Sequence, residues 1–418
     1  MNTSIGKRLA LLLSGVLLLT GCYAAPAAES VRQGSTPPES AQPTQPPAAE
    51  TAITTYPVPE ENLLVSINMA DSPSTGGFWQ WDMMLHPYIE AYDPVTRTAY
   101  VPCYQSGCRH NDSTCSACFG NLSALAEYRD SLYALVLQDG ESAASLVSRP
   151  LSGGALRVLA SWEPENEGEK YRCALRCISF GKAYLTVTRA AYLPEDGQLT
   201  RDEQENRLVS VDLQTGEEAT ILEHAENYDL YGVWGDCAVF QVQETAEGAP
   251  DFADWAAQQP DEYERLYIRY RILSRDLRTG VETTIVDGSE PFVWSADPHR
   301  SWGKYAVYQV GRSVYVYDME TQETKKLFTH EQERKFYNYL LLDGHAIVLC
   351  GTENACNAWA VDLADGSVIE LDTRGENAMP FSAHYECDGY FAGLLSNSPG
   401  NYELCHISIE DFYRSNYD

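Results

Sequence analysis

The stretch LVSVDLQTGEEATIL, residues 208–222, contains two runs of alternating apolar residues separated by the turn sequence Asp-Leu-Gln-Thr-Gly. Alternation with a period of two indicates β-strands, because successive side chains of a strand lie on opposite faces of a sheet. Asp212 can accept hydrogen bonds from the turn backbone, and Gly216 can adopt the positive φ that a tight turn requires. The stretch therefore predicts a β-hairpin.

The same pattern recurs along the chain. The other copies are YIEAYDPVTRTAYVP (88–102), LVSRPLSGGALRVLA (146–160), RILSRDLRTGVETTIV (271–286), VYVYDMETQETKKLF (314–328), AWAVDLADGSVIELD (358–372) and the weaker LCHISIEDFY (404–413). Their turn positions are Asp93, Pro150, Asp212, Asp276, Asp318, Asp362 and Glu410, spaced 42 to 64 residues apart. A second alternating hairpin precedes most copies, so each repeat contains about four strands.

Four strands in a little over forty residues are typical of a β-propeller blade. A β-sandwich would not repeat one turn seven times, and a β-solenoid needs shorter periods. We therefore predict an all-β fold, a β-propeller of four-stranded antiparallel blades, with seven blades favoured and six or eight as alternatives. The run NLLVSINMA (62–70) could complete the last blade.

The first residues have the pattern of a secretory signal peptide. Lys7 and Arg8 precede an apolar run from Leu9 to Leu19, which is too short to cross a bilayer core of about 30 Å. The run ends in Leu-Thr-Gly-Cys, which resembles the bacterial lipobox, although Cys22 could also follow an ordinary signal by chance. We expect lipid chains on Cys22 to anchor the protein to the cell membrane on its extracytoplasmic side.

Composition indicates two regions after the signal peptide, a tether and a folded domain. Residues 23–60 are rich in Pro, Ala, Ser, Gln and Thr and contain too little apolar surface to offset the entropy of ordering. We predict a signal peptide at 1–21, the lipidated cysteine and a disordered tether at 22–60, and the propeller domain at 61–418. The formal net charge of −31 disfavours nucleic acid and anionic lipid as partners, so membrane contact is expected only through the anchor.

Four cysteines and a histidine crowd into VPCYQSGCRHNDSTCSAC, residues 101–118. Thiolates and imidazole are the ligands that Zn²⁺ prefers, and such a site can stabilise a loop that lacks its own core. An extracytoplasmic location favours disulfides instead, and free thiols are a third reading. The members of this metal or disulfide cluster are Cys103, Cys108, His110, Cys115 and Cys118. A further disulfide is possible between Cys350 and Cys356.

Insertions sit at three places in the repeat. Residues 189–206 and 243–266 lie between the second and third strands of two blades, and 101–120 connects two blades. In an antiparallel blade these connections share one face, so we predict a binding site there. The candidate ligand-binding residues, whose aromatic rings and carboxylates suit sugars or cationic groups, are Tyr192, Asp196, Asp251, Asp254, Trp255 and Tyr263. Alternatively, 251–259 forms a short helix that packs on the blade edge. Ca²⁺ among these acids is possible, although no EF-hand spacing is present.

Lipobox, tether, repeated VDLxTG hairpins and the early C-x4-C-x-H-x4-C segment together resemble uncharacterised β-propeller lipoproteins of Clostridia-like Gram-positive bacteria. The blades are more distantly similar to the TolB-like and quinoprotein-like propeller groups. The resemblance covers nearly the whole chain and implies a fold and a location. It implies no catalytic residues, and the tryptophan docking motifs of quinoprotein propellers are not evident.

The sequence has no G-x-S-x-G, HExxH or P-loop motif. We therefore expect a binding or scaffold module for a glycan, peptide or partner protein. The alternatives are an extracellular carbohydrate-active or other hydrolytic enzyme with its site in the central channel, and a structural role in the envelope.

Overall fold

The computed structural model describes residues 53–64 and 71–417 with internal gaps. The gaps are 73–77, 82–87, 94–97, 104, 113, 139–141, 167, 193–198, 251–266, 289–299, 330–335, 353–354, 374–380, 388 and 399–400. The described residues form seven antiparallel sheets and a short C-terminal helix. Within this part of the chain, no helix has the length and hydropathy needed to span a bilayer.

Each sheet is built from strands that are consecutive in the chain. Blades 1 and 2 contain β2 (Asp71–Ser72), β3 (Phe78–Trp81), β4 (Ile89–Asp93) and β5 (Thr98–Tyr100), then β6 (Asn121–Tyr128), β7 (Ser131–Gln138), β8 (Ala143–Pro150) and β9 (Arg157–Trp162). Blades 3 and 4 contain β10 (Glu169–Ser179), β11 (Lys182–Tyr192), β12 (Leu199–Asp212) and β13 (Glu218–Leu222), then β14 (Tyr228–Trp234), β15 (Cys237–Thr245), β16 (Ile268–Asp276) and β17 (Glu282–Val286).

The remaining blades continue the same order. Blades 5 and 6 contain β18 (Ser301–Trp302), β19 (Tyr305–Val310), β20 (Ser313–Asp318) and β21 (Glu323–Thr329), then β22 (Phe336–Leu342), β23 (His345–Thr352), β24 (Ala355–Asp362) and β25 (Val368–Leu371). Blade 7 contains β26 (Phe381–Cys387), β27 (Tyr390–Ser398) and β28 (Asn401–Ser408), followed by α1 (Ile409–Tyr413).

The core lies between blades. Among the described residues, six clusters of buried apolar side chains each join one blade to the next, from blades 1 and 2 to blades 6 and 7. First strands of successive blades also touch, and Ser301 at the start of blade 5 donates to the backbone oxygen of Tyr231 in blade 4 at 2.6 Å. Sheets that pack face to face in chain order are the architecture of a β-propeller, which confirms the predicted fold class.

The repeated turn has the predicted geometry. One carboxylate oxygen of Asp212 accepts hydrogen bonds from the backbone N–H groups of residues 214 and 215, at 2.9 and 2.8 Å. Asp276, Asp318 and Asp362 do the same in their own blades. Gly216 has φ +80°, and a Cβ there would lie 2.6 Å from the backbone oxygen of Leu159 in the preceding blade. The turn therefore requires glycine both for its φ and for blade packing.

Two details of the predicted fold are wrong. Blade 7 has three strands in the described residues, because Glu410 lies in α1 instead of a hairpin turn. Its helix packs Phe412 and Tyr413 into the cluster between blades 6 and 7. Residues 63 and 64 do not complete this blade; as β1 (Leu63–Leu64) they pair with Ile178 and Cys177 of β10, adding a fifth strand to blade 3.

Candidate functional site

The connections between strands lie on two opposite faces of the propeller. Because strand direction reverses at every hairpin, the connection between second and third strands and the crossover to the next blade share one face. We call this the insertion face; the described residues on it include 101–120 outside the gaps at 104 and 113, the ends of β11 and β12 at residues 192 and 199, and residues 246–250 and 267. The turns between first and second strands and between third and fourth strands share the opposite face, which we call the short-turn face.

The insertions extend the blades as well as their loops. The segment predicted as one long loop in blade 3 is largely strand, since β11 and β12 stay paired from Lys182↔Asp212 out to Tyr192↔Leu199. In blade 4, the backbone N–H of Ala246 donates to the oxygen of Tyr267 at 2.7 Å and holds the ends of the insertion together. Both insertions therefore project from paired strands.

Most predicted ligand-binding residues lie outside the described residues. These are Asp196, Asp251, Asp254, Trp255 and Tyr263, and with them any Ca²⁺ site among the acids. Tyr192 is the last residue of β11, with only its backbone pairing described. Their role stays a prediction, while the strands that carry them end on the insertion face.

The cysteine segment forms a compact cluster between blades 1 and 2. One ligand atom each of Cys103, Cys108, His110 and Cys115 lie within 4.8 Å of one another. Nδ1 of His110 is 3.3 Å from Sγ of Cys115. Cys118 is buried outside this group of four. The structure thus brings together four of the five predicted members as possible ligands.

Backbone N–H groups point at two of the sulfurs. The N–H of His110 donates to Sγ of Cys108, and that of Ala117 to Sγ of Cys115, both at 3.4 Å. A hydrogen bond from the Gln105 backbone lowers the pKa of the Cys103 thiol to about 6, whereas burial raises that of Cys115 to about 12. The pKa shifts of Cys103 and Cys115 are therefore opposite in direction.

A buried arginine holds the segment against blade 2. Arg149 of β8 is 2% exposed, and its Nη1 donates to the backbone oxygens of Cys115, Ser116 and Cys118 at 2.7, 2.7 and 3.1 Å. Its guanidinium lies 5.0 Å from the ring centroid of Phe119. Sequence reasoning missed Arg149, because no pattern in β8 distinguishes an inward-pointing arginine from a surface one.

Cysteines elsewhere do not show a second cluster in the described residues. Cys350 is buried and its backbone partner is Asn357, whereas Cys356 is paired with Gly351. The side chain of Cys356, and with it the disulfide between Cys350 and Cys356, lies outside the described part of the chain. That disulfide stays a prediction.

Residues 53–64, which we call the N-terminal segment, cross the short-turn face. The carboxylate of Glu61 accepts from Tyr128 and Arg129 of blade 2 and from the backbone of Phe180 in blade 3. Asn62 bonds blades 4 and 5. Residues before Glu61 also contact the blades, among them Ile53 and Tyr56.

Tyr56 fixes this segment to blade 6. Its backbone N–H donates to Oδ1 of Asp343 at 2.5 Å, and its hydroxyl donates to Oδ2 of Asp362 at 2.6 Å. A Cβ on Gly344 would lie 2.5 Å from the Tyr56 ring, so glycine permits the close approach. The only signal for this contact in the sequence is the return of apolar residues, Ile53 and Tyr56, after the proline-rich tether.

Buried titratable groups lie beneath Tyr56. Asp343 is fully buried, and its backbone N–H donates to the carboxylate of Glu386 in blade 7. Burial raises the pKa of each carboxyl to about 7, while burial lowers the pKa of His345. The Tyr413 hydroxyl of α1 lies 3.0 Å from Nδ1 of His345. Tyr56 covers this cluster, so we read it as part of the contact between the N-terminal segment and the ring.

Some solved structures are similar to this chain, at low sequence identity. No protein-family model and no curated protein matches the chain. Among solved structures, a puromycin-hydrolyzing peptidase of Mycobacterium tuberculosis is 11% identical, with 84% of this chain and 54% of that chain covered at a TM-score of 0.47. This chain thus spans about half the length of that peptidase.

Two further solved structures are similar to this chain. The β-propeller domain of the Trilobed protease from Pyrococcus furiosus is 10% identical, with 84% and 99% of the two chains covered at a TM-score of 0.46. TolB from Acinetobacter baumannii is 11% identical, with 81% and 78% covered at a TM-score of 0.31. The fold assignment rests on the seven sheets themselves.

Proposed function

We propose that this protein is a membrane-anchored, extracytoplasmic β-propeller lipoprotein that serves as a binding or scaffold module. Its ligand, a glycan, peptide or partner protein, binds the insertion face. The single observation that carries the proposal is the position of the N-terminal segment. It occupies the short-turn face, bonding blades 2 to 6, and so the tether reaches the ring on the side opposite the insertions.

That arrangement separates attachment from recognition. A chain anchored through Cys22 and joined to the short-turn face leaves the insertion face clear of its own tether. The insertions of blades 3 and 4 and the crossover between blades 1 and 2 project there from well-packed strands. Binding residues commonly lie on loops that a rigid scaffold positions.

The second candidate function is an enzyme with its site in the central channel. The described structure limits where such a site could open, because β1 pairs with the first strand of blade 3 and the N-terminal segment covers the short-turn end. The buried acids Asp343 and Glu386 are covered by Tyr56 and Trp302, and their carboxylates accept protein hydrogen bonds. Substrate would have to enter from the insertion face.

A glycan array followed by a turnover screen on the same glycans separates the two candidates. Binding without turnover, lost when residues 193–198 are replaced by a Gly-Ser linker, supports the module. Matched replacement of the exposed turn residues Gln214 and Thr215 by serine should leave binding unchanged. Turnover of a bound glycan would favour the enzyme over the binding module.

A further inference from the structure

The four side chains gathered at the crossover form a complete ligand set. Cys103, Cys108 and Cys115 offer three sulfurs and His110 one ring nitrogen, all within 4.8 Å of one another. Tetrahedral Zn²⁺ takes four such ligands, with Zn–S distances of about 2.3 Å and Zn–N distances of about 2.0 Å. Sulfurs on one zinc ion are then about 3.8 Å apart. The cluster needs only a small contraction to reach that geometry.

The local backbone favours a metal over a disulfide. His110 has φ +53°, a left-handed conformation that costs a residue with a side chain about 1 kcal/mol. In return, its Nδ1 is directed at Sγ of Cys115 and its N–H at Sγ of Cys108. A disulfide would not involve His110, whereas a metal ion would be bound by the histidine ring nitrogen and the sulfurs together.

The surroundings also suit the charge of a zinc centre. Three thiolates, one neutral imidazole and Zn²⁺ carry a net charge of −1. The buried guanidinium of Arg149 lies directly behind the segment and donates to the backbone oxygens of Cys115, Ser116 and Cys118. A buried cation next to a buried anionic centre offsets part of the cost of removing each from water. N–H donors to ligand sulfurs are the usual outer contacts of such centres.

We propose that Cys103, Cys108, His110 and Cys115 bind one Zn²⁺ ion as a closed structural site. Four protein ligands leave no position for substrate, so the ion fixes a shape and performs no catalysis. That shape is the crossover between blades 1 and 2, which is also tied to blade 1 by the bond from the Ile89 N–H to the Ala117 oxygen at 3.0 Å. Zinc thereby stabilises one side of the insertion face.

Elemental analysis of the full-length protein tests the proposal. We expect one zinc per chain, lost in Cys108→Ser and His110→Ala and retained in the control Cys118→Ala, since Cys118 lies outside the ligand group. Alkylation in denaturant with chelator should then label all three ligand cysteines. Absence of zinc together with unlabelled, oxidised cysteines would overturn the proposal, as would full zinc in Cys108→Ser.

A further variant keeps the proposal testable if Cys108→Ser and His110→Ala fail to fold. His110→Cys keeps four ligands and should retain one metal ion. With Co²⁺ as the probe, the wild-type chain should show sulfur-to-cobalt charge-transfer bands and strong visible bands of a tetrahedral site. Those bands should shift in His110→Cys as the fourth sulfur replaces nitrogen. Identical spectra for the two proteins would show that His110 is not a ligand.

Discussion

Replacing Asn62 tests whether the N-terminal segment is part of the folded ring. Asn62 is 2% exposed; its Nδ2 donates to Ser301 Oγ and to the Gly303 oxygen, both at 2.8 Å, and its Oδ1 accepts from the Val233 N–H at 2.9 Å. Each net hydrogen bond stabilises by about 1 kcal/mol, and a buried partner left unsatisfied costs about 1–3 kcal/mol. Asn62→Ala should therefore lower the free energy of unfolding by about 3–5 kcal/mol.

Chemical denaturation followed by tryptophan fluorescence measures that loss. Asn62 also has φ +60°, so the alanine variant includes a backbone penalty. Gln322 has the same φ of 60° in an exposed turn, and Gln322→Ala is the control. Because glutamine and alanine both carry a Cβ, its expected loss is no more than about 0.5 kcal/mol. Gly232→Ala should reproduce the larger effect, because its Cβ would lie 2.6 Å from Nδ2 of Asn62. Equal losses for Asn62→Ala and Gln322→Ala would show that the hydrogen bonds of Asn62 do not stabilise the ring.

Three further changes have expected outcomes. Arg149→Met removes the guanidinium donor from three backbone oxygens of the cysteine segment, of which only that of Cys115 also accepts from a backbone N–H among the described contacts, that of Cys118. The free energy of unfolding should therefore fall by about 3–5 kcal/mol, and limited proteolysis should cut within 103–118; an uncut, equally stable variant would contradict this. Burial raises the folded pKa of Asp343 to about 7, so the stability that its proton provides is present near pH 4 and lost as pH rises through 7. Asp343→Asn should therefore gain stability relative to wild type between pH 4 and 8 in denaturation series, and a constant difference would argue against a buried acid. Cys22→Ser should abolish incorporation of labelled palmitate and move the protein from the membrane fraction, whereas retained label would exclude Cys22 as the lipidated residue.

Local patterns predicted the blades because each hairpin depends on residues close in sequence. Asp212 and its counterparts bond backbone two and three residues away, and alternation marks the strands. The same logic placed four possible ligands of the cysteine segment together, since they lie within thirteen positions.

The sequence did not predict contacts between residues that are far apart along the chain. β1 could have joined any exposed strand edge, and its pairing with β10 depends on Asn62 and Glu61 meeting partners in four different blades. The buried group around Asp343 assembles from the N-terminal segment, two blades and α1. The sequence around each of these residues resembles an ordinary turn, so no local signal marks the cluster.

We propose that the insertion face recognises a ligand and that the short-turn face receives the tether. Photoreactive phenylalanine, placed singly in the chain expressed in intact cells, tests this most directly. Gln204 and Glu247 are exposed sites next to the insertions, and Gln214 and Arg278 are exposed sites in short turns. We predict crosslinked envelope protein or glycan from Gln204 and Glu247 and none from Gln214 and Arg278. Adducts formed only from the short-turn sites would show that the ligand does not bind the insertion face.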